Sequence, residues 1–285
     1  MRQAMTRLAR PGAPPVLCIP GFATNSNIVA VHPDGVSLFD HLHAFGFDAW
    51  RVELSADGLA ARALDELPDA IRHVQAETGA ERVHLVGGSL GGTLIYAALA
   101  HDPALPVDRV VALASPLDWV EKPPWIAAFG RLGPLLGRVP MRGTKLQARL
   151  ALPLASRLAP GLLRIYLNVD HIDLERADVL FSIVEDPTPG MNLEISRWVR
   201  NGHLVVRGLA IGRAAASWPR PVLVVTGNGD GIAPPATCAT AVAAFPGGEH
   251  LAVGRPDDPW SHADLFVGHT ARAEVFEPAA QFLAG

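Results

Sequence analysis

Cysteine, lysine and long apolar runs are all scarce in this sequence. Its 285 residues include only Cys18 and Cys238, too few for a disulfide framework, and we expect both to be free thiols. No uninterrupted apolar stretch reaches about 18 residues, so we expect no membrane-spanning helix. The first fifteen residues carry basic side chains without an apolar core, and we expect no signal peptide there. These absences favour a cytoplasmic protein.

Charge is also low, and its two signs nearly balance. Charged residues make up 18% of the chain and hydrophobic residues 49%, the reverse of a disordered composition. The 24 Lys and Arg against 28 Asp and Glu leave a net charge of −4, so no global positive field attracts nucleic acid. We therefore expect a folded chain with a large core, a small-molecule substrate and no nucleic-acid partner.

Short apolar runs alternate with helical segments in the first part of the chain and again near its end. Because these runs are mainly apolar and are separated by helices, they predict a mostly parallel sheet of about six strands with helices on both faces, an α/β fold. Between them, residues 119–205 are helical in pattern and interrupted by proline. We predict an α/β core of residues 1–118 and 206–285, with residues 119–205 inserted as a helical cap. The runs include PVLCIP, DAWRVEL, RVHLV, RVVALA and PVLVVT.

The cap segment (residues 119–205) contains a basic stretch. Between Glu121 and Asp170 there are eight cations and no acid, a formal charge of +8 against −12 for the rest of the chain. One interpretation is that these are solvated side chains whose stems cover apolar surface. The other is a basic, apolar surface that meets an anionic partner or a membrane surface. The cations are Lys122, Arg131, Arg138, Arg142, Lys145, Arg149, Arg157 and Arg164.

One short motif carries chemistry: Gly87-Gly88-Ser89-Leu90-Gly91 fits G-x-S-x-G. It directly follows the strand RVHLV and precedes the helix GTLIYAALAH, which is the strand–turn–helix context of a nucleophile elbow. Glycines at the flanking positions permit a tight, strained turn from which the serine oxygen projects above the sheet. The motif lacks the pattern and the lysine of phosphate-binding loops. We predict Ser89 as the nucleophile and the Leu90 N–H as an oxyanion donor.

A nucleophilic serine needs a base and an acid, which follow it in the order acid, then histidine, in this kind of fold. Asp230, in the Gly-rich loop after PVLVVT, is the predicted acid, and Asp118, after RVVALASPL, is the alternative. Of the eleven histidines, His262 lies in a loop before the last helix and is the predicted base. His250 is the alternative, although its place in the last predicted strand would direct its side chain into packing.

An oxyanion hole needs a second donor, and the turn after the first long strand offers one. Gly21 allows the backbone to turn sharply, and the Phe22 N–H is then the natural donor because Pro20 has no N–H. The ordinary interpretation of the same residues is a simple strand-end turn.

Together these motifs resemble the α/β-hydrolase superfamily over nearly the whole chain. The His262 loop and the stretch RWVRNGHLVVRGLAIG are similar to acid-lipase-type and polyhydroxyalkanoate-synthase-like hydrolases. The resemblance implies a Ser–Asp–His triad and a helical cap. The motifs are PGF at 20–22, GGSLGG at 87–92, GNGDGIAPP at 227–235 and HADLFVG at 262–268.

The chain departs from the synthase-like branch at three points. Polyhydroxyalkanoate synthases use cysteine where this chain has Ser89, and a serine favours transfer to water over polymerisation. The usual His-Gly of the oxyanion turn is Pro20-Gly21 here. The N-terminus is short, so we expect no room for the two leading strands of the full fold.

We therefore expect a serine hydrolase that cleaves a carboxylic ester or thioester with an apolar acyl group through an acyl-enzyme. Trp125, Phe129 and Phe181 of the cap segment predict an apolar acyl pocket, and the cap cations could hold a carboxylate, a phosphate or a carrier-bound thioester. Alternatives are acyl transfer to an alcohol or hydroxy acid, and a non-catalytic binding protein on the same scaffold. No H-E-x-x-H, paired C-x-x-C or cofactor fingerprint occurs, so we expect neither metal nor cofactor.

Overall fold

The computed structural model describes residues 4–136, 142–173, 176 and 178–285. No helix among these residues combines the length and the apolarity that crossing a bilayer requires. The strands are β1 (Met5–Leu8), β2 (Pro15–Ile19), β3 (Asp48–Val52), β4 (Val83–Gly88), β5 (Val107–Leu113), β6 (Val205–Val206), β7 (Leu209–Ala210), β8 (Pro221–Gly227) and β9 (Gly247–Val253). The α-helices are α1 (Leu38–Phe45), α2 (Leu59–Ala61), α3 (Leu67–Thr78), α4 (Leu90–His101), α5 (Pro124–Leu136), α6 (Thr144–Leu158), α7 (Pro160–Leu163), α8 (Asp178–Phe181), α9 (Pro189–Asn201), α10 (Ile211–Ala214), α11 (Pro235–Ala244), α12 (Asp264–Val267) and α13 (Glu277–Ala284).

Seven strands form the main sheet, in the order β1-β3-β2-β4-β5-β8-β9. The six from β3 to β9 in that order are parallel, as the apolar runs predict. β1 is an additional edge strand that pairs antiparallel with β3. The short N-terminus predicts no room for the two leading strands of the full fold, and the structure has one additional strand, β1, at this edge.

An ion pair holds β1 against its neighbour. Arg7 donates two hydrogen bonds, of 2.9 and 2.6 Å, to the carboxylate of Asp48 at the start of β3. The Asp48 side chain is only 1% exposed, so a bidentate guanidinium partner offsets much of the cost of burying its charge. The same guanidinium lies 4.6 Å from the ring centroid of Trp50. These contacts, rather than an apolar run, explain why four residues of mixed polarity form a strand.

Helices cover both faces of the sheet, as predicted. In β2 the side chains of Leu17 and Ile19 belong to one apolar cluster, and those of Val16 and Cys18 to a second cluster on the opposite face. Helices α3 and α4 complete the first cluster, whereas α1 and α13 complete the second. Both cysteines are free and buried, and burial raises the pKa of the Cys18 thiol to about 12, so this thiol is unreactive.

The described part of the cap segment is helical and connects β5 to the region before β8. Helix α5 packs against α9, and the backbone of Asn25 donates a hydrogen bond of 2.9 Å to the Ile183 carbonyl, which ties the segment to the turn after β2. The division into a core and a separate cap domain stays a prediction. Arg138, one of the basic residues of this segment, lies outside the described residues.

Candidate active site

The strand order changes direction between β2 and β4. From β2 the chain continues to β3 on one side, and later returns to place β4, β5, β8 and β9 on the other. In parallel sheets the loops at such a point diverge and leave a crevice at the carboxyl ends of the strands. Ile19, the last residue of β2, pairs with Gly87 of β4, so the turns that follow these two strands are adjacent.

Ser89 occupies the turn that follows β4. Its backbone has φ 51° and ψ −119°, a conformation that residues other than glycine rarely adopt. The Ser89 N–H donates a hydrogen bond of 2.7 Å to the Leu113 carbonyl at the end of β5, which anchors the turn. Helix α4 begins at the next residue, so the amides of its first turn lie beside the serine.

Close packing explains the glycines around Ser89. A Cβ atom on Gly91 would overlap the carbonyl oxygen of Ile19 and lie 2.7 Å from that of Pro20. A Cβ atom on Gly87 would overlap the backbone of Gly92. Only glycine lets the first turn of α4 approach the end of β2 this closely, and this approach places the Pro20–Phe22 turn next to the serine.

Asp230 and His262 are brought together from the loops after β8 and β9. The Nδ1 atom of His262 lies 2.7 Å from Oδ2 of Asp230, and both residues are buried. The other carboxylate oxygen accepts hydrogen bonds of 2.8 Å from the backbone of Ile232 and of Ala233. Three donors therefore hold the carboxylate in one orientation. Donation by Nδ1 leaves Nε2 of His262 as the ring nitrogen that can accept a proton.

The alternative acid and base have other partners. One oxygen of Asp118 accepts a hydrogen bond of 3.1 Å from the Leu204 backbone, and the other lies 3.2 Å from Nδ1 of His203. His250 lies on β9 with its side chain exposed rather than packed, and its Nε2 is 2.9 Å from the Thr226 hydroxyl. The structure thus pairs the first-choice acid with the first-choice base.

Ser89 and His262 line one cavity, of about 420 Å³, which we call the site cavity. The predicted oxyanion donors Phe22 and Leu90 line it as well. Their amide nitrogens have no hydrogen-bond acceptor among the described residues. Free backbone donors at a nucleophile are the arrangement that an oxyanion hole requires.

The walls of the site cavity are apolar. Trp125 and Phe129 line it as predicted, whereas Phe181 lines a neighbouring cavity. No Lys, Arg, Asp or Glu is among its described lining residues. The role of the cap cations in binding an anionic group stays a prediction. The described chain contains no cluster of three or more residues suited to hold a metal ion. Sequence analysis missed four further aromatic residues of the lining, Trp119, Tyr166, Trp198 and Phe266.

A second buried carboxylate supports the histidine loop. Asp264 is fully buried and accepts hydrogen bonds of 2.8 Å from the Ser261 backbone and 2.9 Å from the Asn168 backbone. Its Oδ2 also lies 3.1 Å from Nδ1 of His171, whose Nε2 is 2.6 Å from Asp258. Burial raises the pKa of Asp264, and these donors oppose the rise. The motif HADLFVG contains this aspartate two residues after His262, but the sequence did not reveal which groups it accepts hydrogen bonds from.

Comparison with known families decides which family this architecture represents. Residues 14–262, from the residue before β2 to the histidine of the site, match the model of the alpha/beta hydrolase fold. The chain belongs to the α/β-hydrolase family. The superfamily resemblance is thereby confirmed, and the acid-lipase or polyhydroxyalkanoate-synthase-like branch stays a prediction.

Solved α/β-hydrolase structures superimpose over almost the whole chain. The enol-lactonase from Burkholderia xenovorans LB400 is 15% identical, with a TM-score of 0.66, covering 99% of this chain and 96% of that one. The monoacylglycerol lipase of Paleococcus ferrophilus is 15% identical, with a TM-score of 0.62 and coverage of 99% and 98%. A lipase-esterase related protein from Clostridium acetobutylicum is 11% identical, with a TM-score of 0.63 and the same coverage. At these identities they show the shared fold. None of the curated proteins matches this α/β hydrolase in sequence.

Proposed function

We propose that this α/β hydrolase cleaves carboxylic esters or thioesters with an apolar acyl group, with Ser89, His262 and Asp230 as a catalytic triad. The proposal rests on one observation, namely that three features occur together at one site. Ser89 lies in a strained turn after β4, it shares a cavity with His262, and the Nδ1 of His262 bonds to a buried aspartate. This is the arrangement that makes a serine hydroxyl nucleophilic.

In the first half of the proposed reaction, Nε2 of His262 takes the proton of Ser89 as Oγ attacks the acyl carbonyl. The resulting oxyanion accepts hydrogen bonds from the Phe22 and Leu90 amides. Asp230 holds the ring and stabilises the imidazolium that forms. Nε2 then returns its proton to the leaving oxygen or sulfur as its bond to the acyl carbon breaks.

In the second half, water replaces the leaving group. His262 removes a proton from the water as it attacks the acyl-enzyme, and returns it to Ser89 Oγ when the carboxylic acid is released. A serine ester is the intermediate, and no redox partner is involved. Loss of either oxyanion donor would cost about 3 kcal/mol of transition-state stabilisation.

The walls of the site cavity favour an apolar acyl group. Side chains from α5 and α9 surround it, among them Phe129, Ile195 and Trp198, and an aliphatic chain would bury its surface there. The names of two of the solved structures, an enol-lactonase and a monoacylglycerol lipase, are consistent with ester chemistry. Their identity of 15% leaves the substrate of this chain to experiment.

The decisive experiment is intact mass spectrometry after incubation with a fluorophosphonate, together with turnover of a p-nitrophenyl ester series of increasing acyl length. We expect one adduct on the wild type, none on Ser89→Ala, and an unchanged adduct on the control Ser217→Ala, which alters an exposed serine. The ester series should show a preference for medium or long acyl chains.

Two other outcomes would redirect the proposal. Faster product formation with an added alcohol, together with an ester product, would indicate acyl transfer instead of hydrolysis. A well-folded wild type that forms no adduct and turns over no ester would contradict the triad and favour a binding protein on the hydrolase scaffold.

We further propose that the cap segment contacts an anionic membrane surface. Among the described residues, thirteen large apolar side chains are exposed, and ten of them lie between 120 and 166. On α6, Leu146, Leu150 and Leu158 follow at intervals of four and eight residues, so they form one exposed stripe along the helix. The cations Lys145 and Arg149, both exposed, lie next to that stripe in a stretch without acids.

An exposed helix that is apolar and basic fits the boundary between lipid headgroups and acyl chains. In water such a stripe would be a liability, because soluble proteins rarely expose contiguous apolar patches. The acidic remainder of a second copy could attract the basic side chains. An anionic bilayer is the better partner, because its headgroups attract these side chains and its acyl chains also accommodate the leucines. Location in the cytoplasm stays a prediction.

A further inference from the structure

A second cavity adjoins the site cavity. It has a volume of about 240 Å³ and lies between α6, α8 and the segment that follows His262, from which Ala263 and Val267 line it. All of its lining side chains are aliphatic or aromatic, and none carries a charge. A cavity of this composition suits a hydrocarbon group and does not suit an ion or a strongly hydrated headgroup.

The two cavities share part of their lining. Five residues line both of them, namely Ile28, Ala148, Tyr166, Val184 and Ala263. None of the α5 and α9 residues that line the site cavity lines the second one. Helices α5 and α9 therefore form one apolar wall of the site cavity. The five shared residues form a different wall, and the second cavity lies against that one.

That different wall is the one beside the histidine. The ring of Tyr166 has its centroid 6.0 Å from that of His262. Ala263 follows His262 in the chain, and its N–H donates a hydrogen bond of 2.7 Å to the Tyr166 carbonyl. The second cavity thus opens from the side of the site on which the proposed general acid stands.

The position of the general acid decides which half of an ester each cavity can receive. His262 must protonate the oxygen of the departing alcohol, and it must come within about 2.6–3.2 Å of that oxygen to do so. The alcohol therefore extends on the histidine side of the carbonyl. The acyl chain leaves the carbonyl on another side, where the apolar wall formed by α5 and α9 can receive it.

We propose that the second cavity binds the alkyl chain of the leaving alcohol, and that the substrate is an uncharged ester with apolar groups on both sides of its carboxyl. This inference rests on the proposed serine-hydrolase mechanism. In the step concerned, the bond between the acyl carbon and the alcohol oxygen breaks, and Nε2 of His262 gives its proton to that oxygen. The acyl group stays on Ser89, and a neutral alcohol departs.

Two isomeric esters distinguish binding of the alcohol chain from binding of the acyl chain. Octyl butanoate has its long chain on the alcohol, and butyl octanoate has it on the acid, so they share one composition and nearly one hydrophobicity. We expect the wild type to hydrolyse both, and the ratio of their kcat/KM values is the quantity to follow. The Ser89 adduct with a fluorophosphonate, measured in parallel, reports on the nucleophile alone.

Two variants of α6 change the second cavity without touching the triad. Ala155 and Leu152 line the second cavity and not the site cavity. We expect Ala155→Phe to fill it and lower the ratio of octyl butanoate to butyl octanoate by about tenfold, since a few excluded methylenes have an effect of that size. Leu152→Ala should enlarge it and raise the corresponding ratio for dodecyl butanoate over butyl dodecanoate.

The matched control is Ala128→Phe, which adds the same side chain at an exposed position of α5 that lines neither cavity. Its isomer ratio should equal that of the wild type. Urea unfolding of each variant separates a change of selectivity from a loss of fold.

Three results would overturn the inference while leaving the hydrolase proposal intact. One is a wild type that labels on Ser89 and hydrolyses butyl octanoate but not octyl butanoate. Another is an Ala155→Phe variant whose ratio does not change. The third is a selective loss of butyl octanoate in that variant, which would assign the cavity to the acyl chain. Absence of the Ser89 adduct would instead contradict the proposed function itself.

Discussion

Gly91 shows how one missing side chain determines the geometry of the site. Its α-carbon faces the carbonyl oxygens at the end of β2, where no Cβ atom fits. The consequence is that the nucleophile turn and the Pro20–Phe22 turn, which follow strands far apart in sequence, pack closely against each other. Such close packing leaves little freedom, so Phe22, the last residue of the second turn, stays on the wall of the cavity that Ser89 lines.

We expect Gly91→Ala to lower both stability and turnover. Overlap with the Ile19 carbonyl must push β2 and α4 apart, at a cost of about 1–3 kcal/mol in the free energy of unfolding. The same shift displaces an oxyanion donor, so kcat should fall more than KM rises. Urea unfolding and p-nitrophenyl ester kinetics measure the two effects.

Gly161→Ala on α7 is the matched control, because a Cβ atom there meets nothing within 4 Å. Its free energy of unfolding should change by less than about 1 kcal/mol. If Gly91→Ala proves as stable and as active as this control, the close approach of α4 to β2 is not as described.

At the scale of elements, the histidine loop depends on a contact with the cap segment. The stretch from Arg164 to His171 lies against the loops that carry the proposed acid and base. The Gly231 N–H donates a hydrogen bond of 3.1 Å to the Ile165 carbonyl, and the Ser261 hydroxyl donates one of 2.7 Å to the Arg164 carbonyl. Asp264 adds the buried hydrogen bonds described above. The loop of His262 is thus positioned partly by residues that precede it by about a hundred positions.

Removal of the Asp264 carboxylate should loosen that loop. In Asp264→Ala the buried amides of Ser261 and Asn168 lose their acceptor, and each unsatisfied donor costs about 1–3 kcal/mol. We expect the free energy of unfolding to fall by roughly 2–5 kcal/mol and kcat to fall with little change in KM. Urea unfolding and steady-state kinetics test both.

Asp258→Ala provides the comparison, because it removes only the partner of His171 Nε2, a carboxylate that is 46% exposed. Its effect on unfolding should stay within about 1 kcal/mol. Equal losses in the two variants would mean that the buried amides do not depend on Asp264.

At the scale of the whole molecule, charge and exposed apolar surface are concentrated in the same place. The stretch between Glu121 and Asp170 carries +8, and the rest of the chain carries −12. Most of the large exposed apolar side chains lie in or beside this stretch. The net charge of −4 conceals this separation completely.

The proposed membrane contact predicts salt-sensitive binding to anionic vesicles. We expect sedimentation with phosphatidylserine vesicles, weaker sedimentation with phosphatidylcholine vesicles, and release on raising the salt from 0.1 M to 1 M, where the Debye length falls from about 10 to 3 Å. Charge reversal at Lys145 and Arg149 should weaken binding at least about tenfold, since each basic residue contributes about 1 kcal/mol.

The same reversal at Arg10 and Arg272, two exposed cations outside the cap segment, is the control and should change binding much less. Equal binding to neutral and anionic vesicles would contradict the electrostatic part of the proposal. Self-association without vesicles would show that a second copy covers the surface.

By itself, the sequence determined the features that depend on neighbouring residues. The nucleophile elbow extends over five consecutive positions, and most of the parallel strands are short, mainly apolar runs, so both could be predicted before any contact was known. The last strand, β9, is the exception, since its sequence GGEHLAV begins with two glycines, a glutamate and a histidine. The family followed from the same local motifs. The turn at Pro20–Phe22, which follows β2, could be identified as an oxyanion candidate from the sequence. Its distance from Ser89 could not be predicted.

Tertiary structure decided everything that depends on residues far apart in the chain. It paired His262 with Asp230 and gave Asp118 and His250 other partners, it formed β1 through Arg7 and Asp48, and it placed a second cavity beside the histidine. Such contacts arise from packing between elements, and no local pattern encodes the partner of a side chain a hundred residues away. Hydrophobic periodicity indicates only which face is buried, and the fold then decides what that face meets.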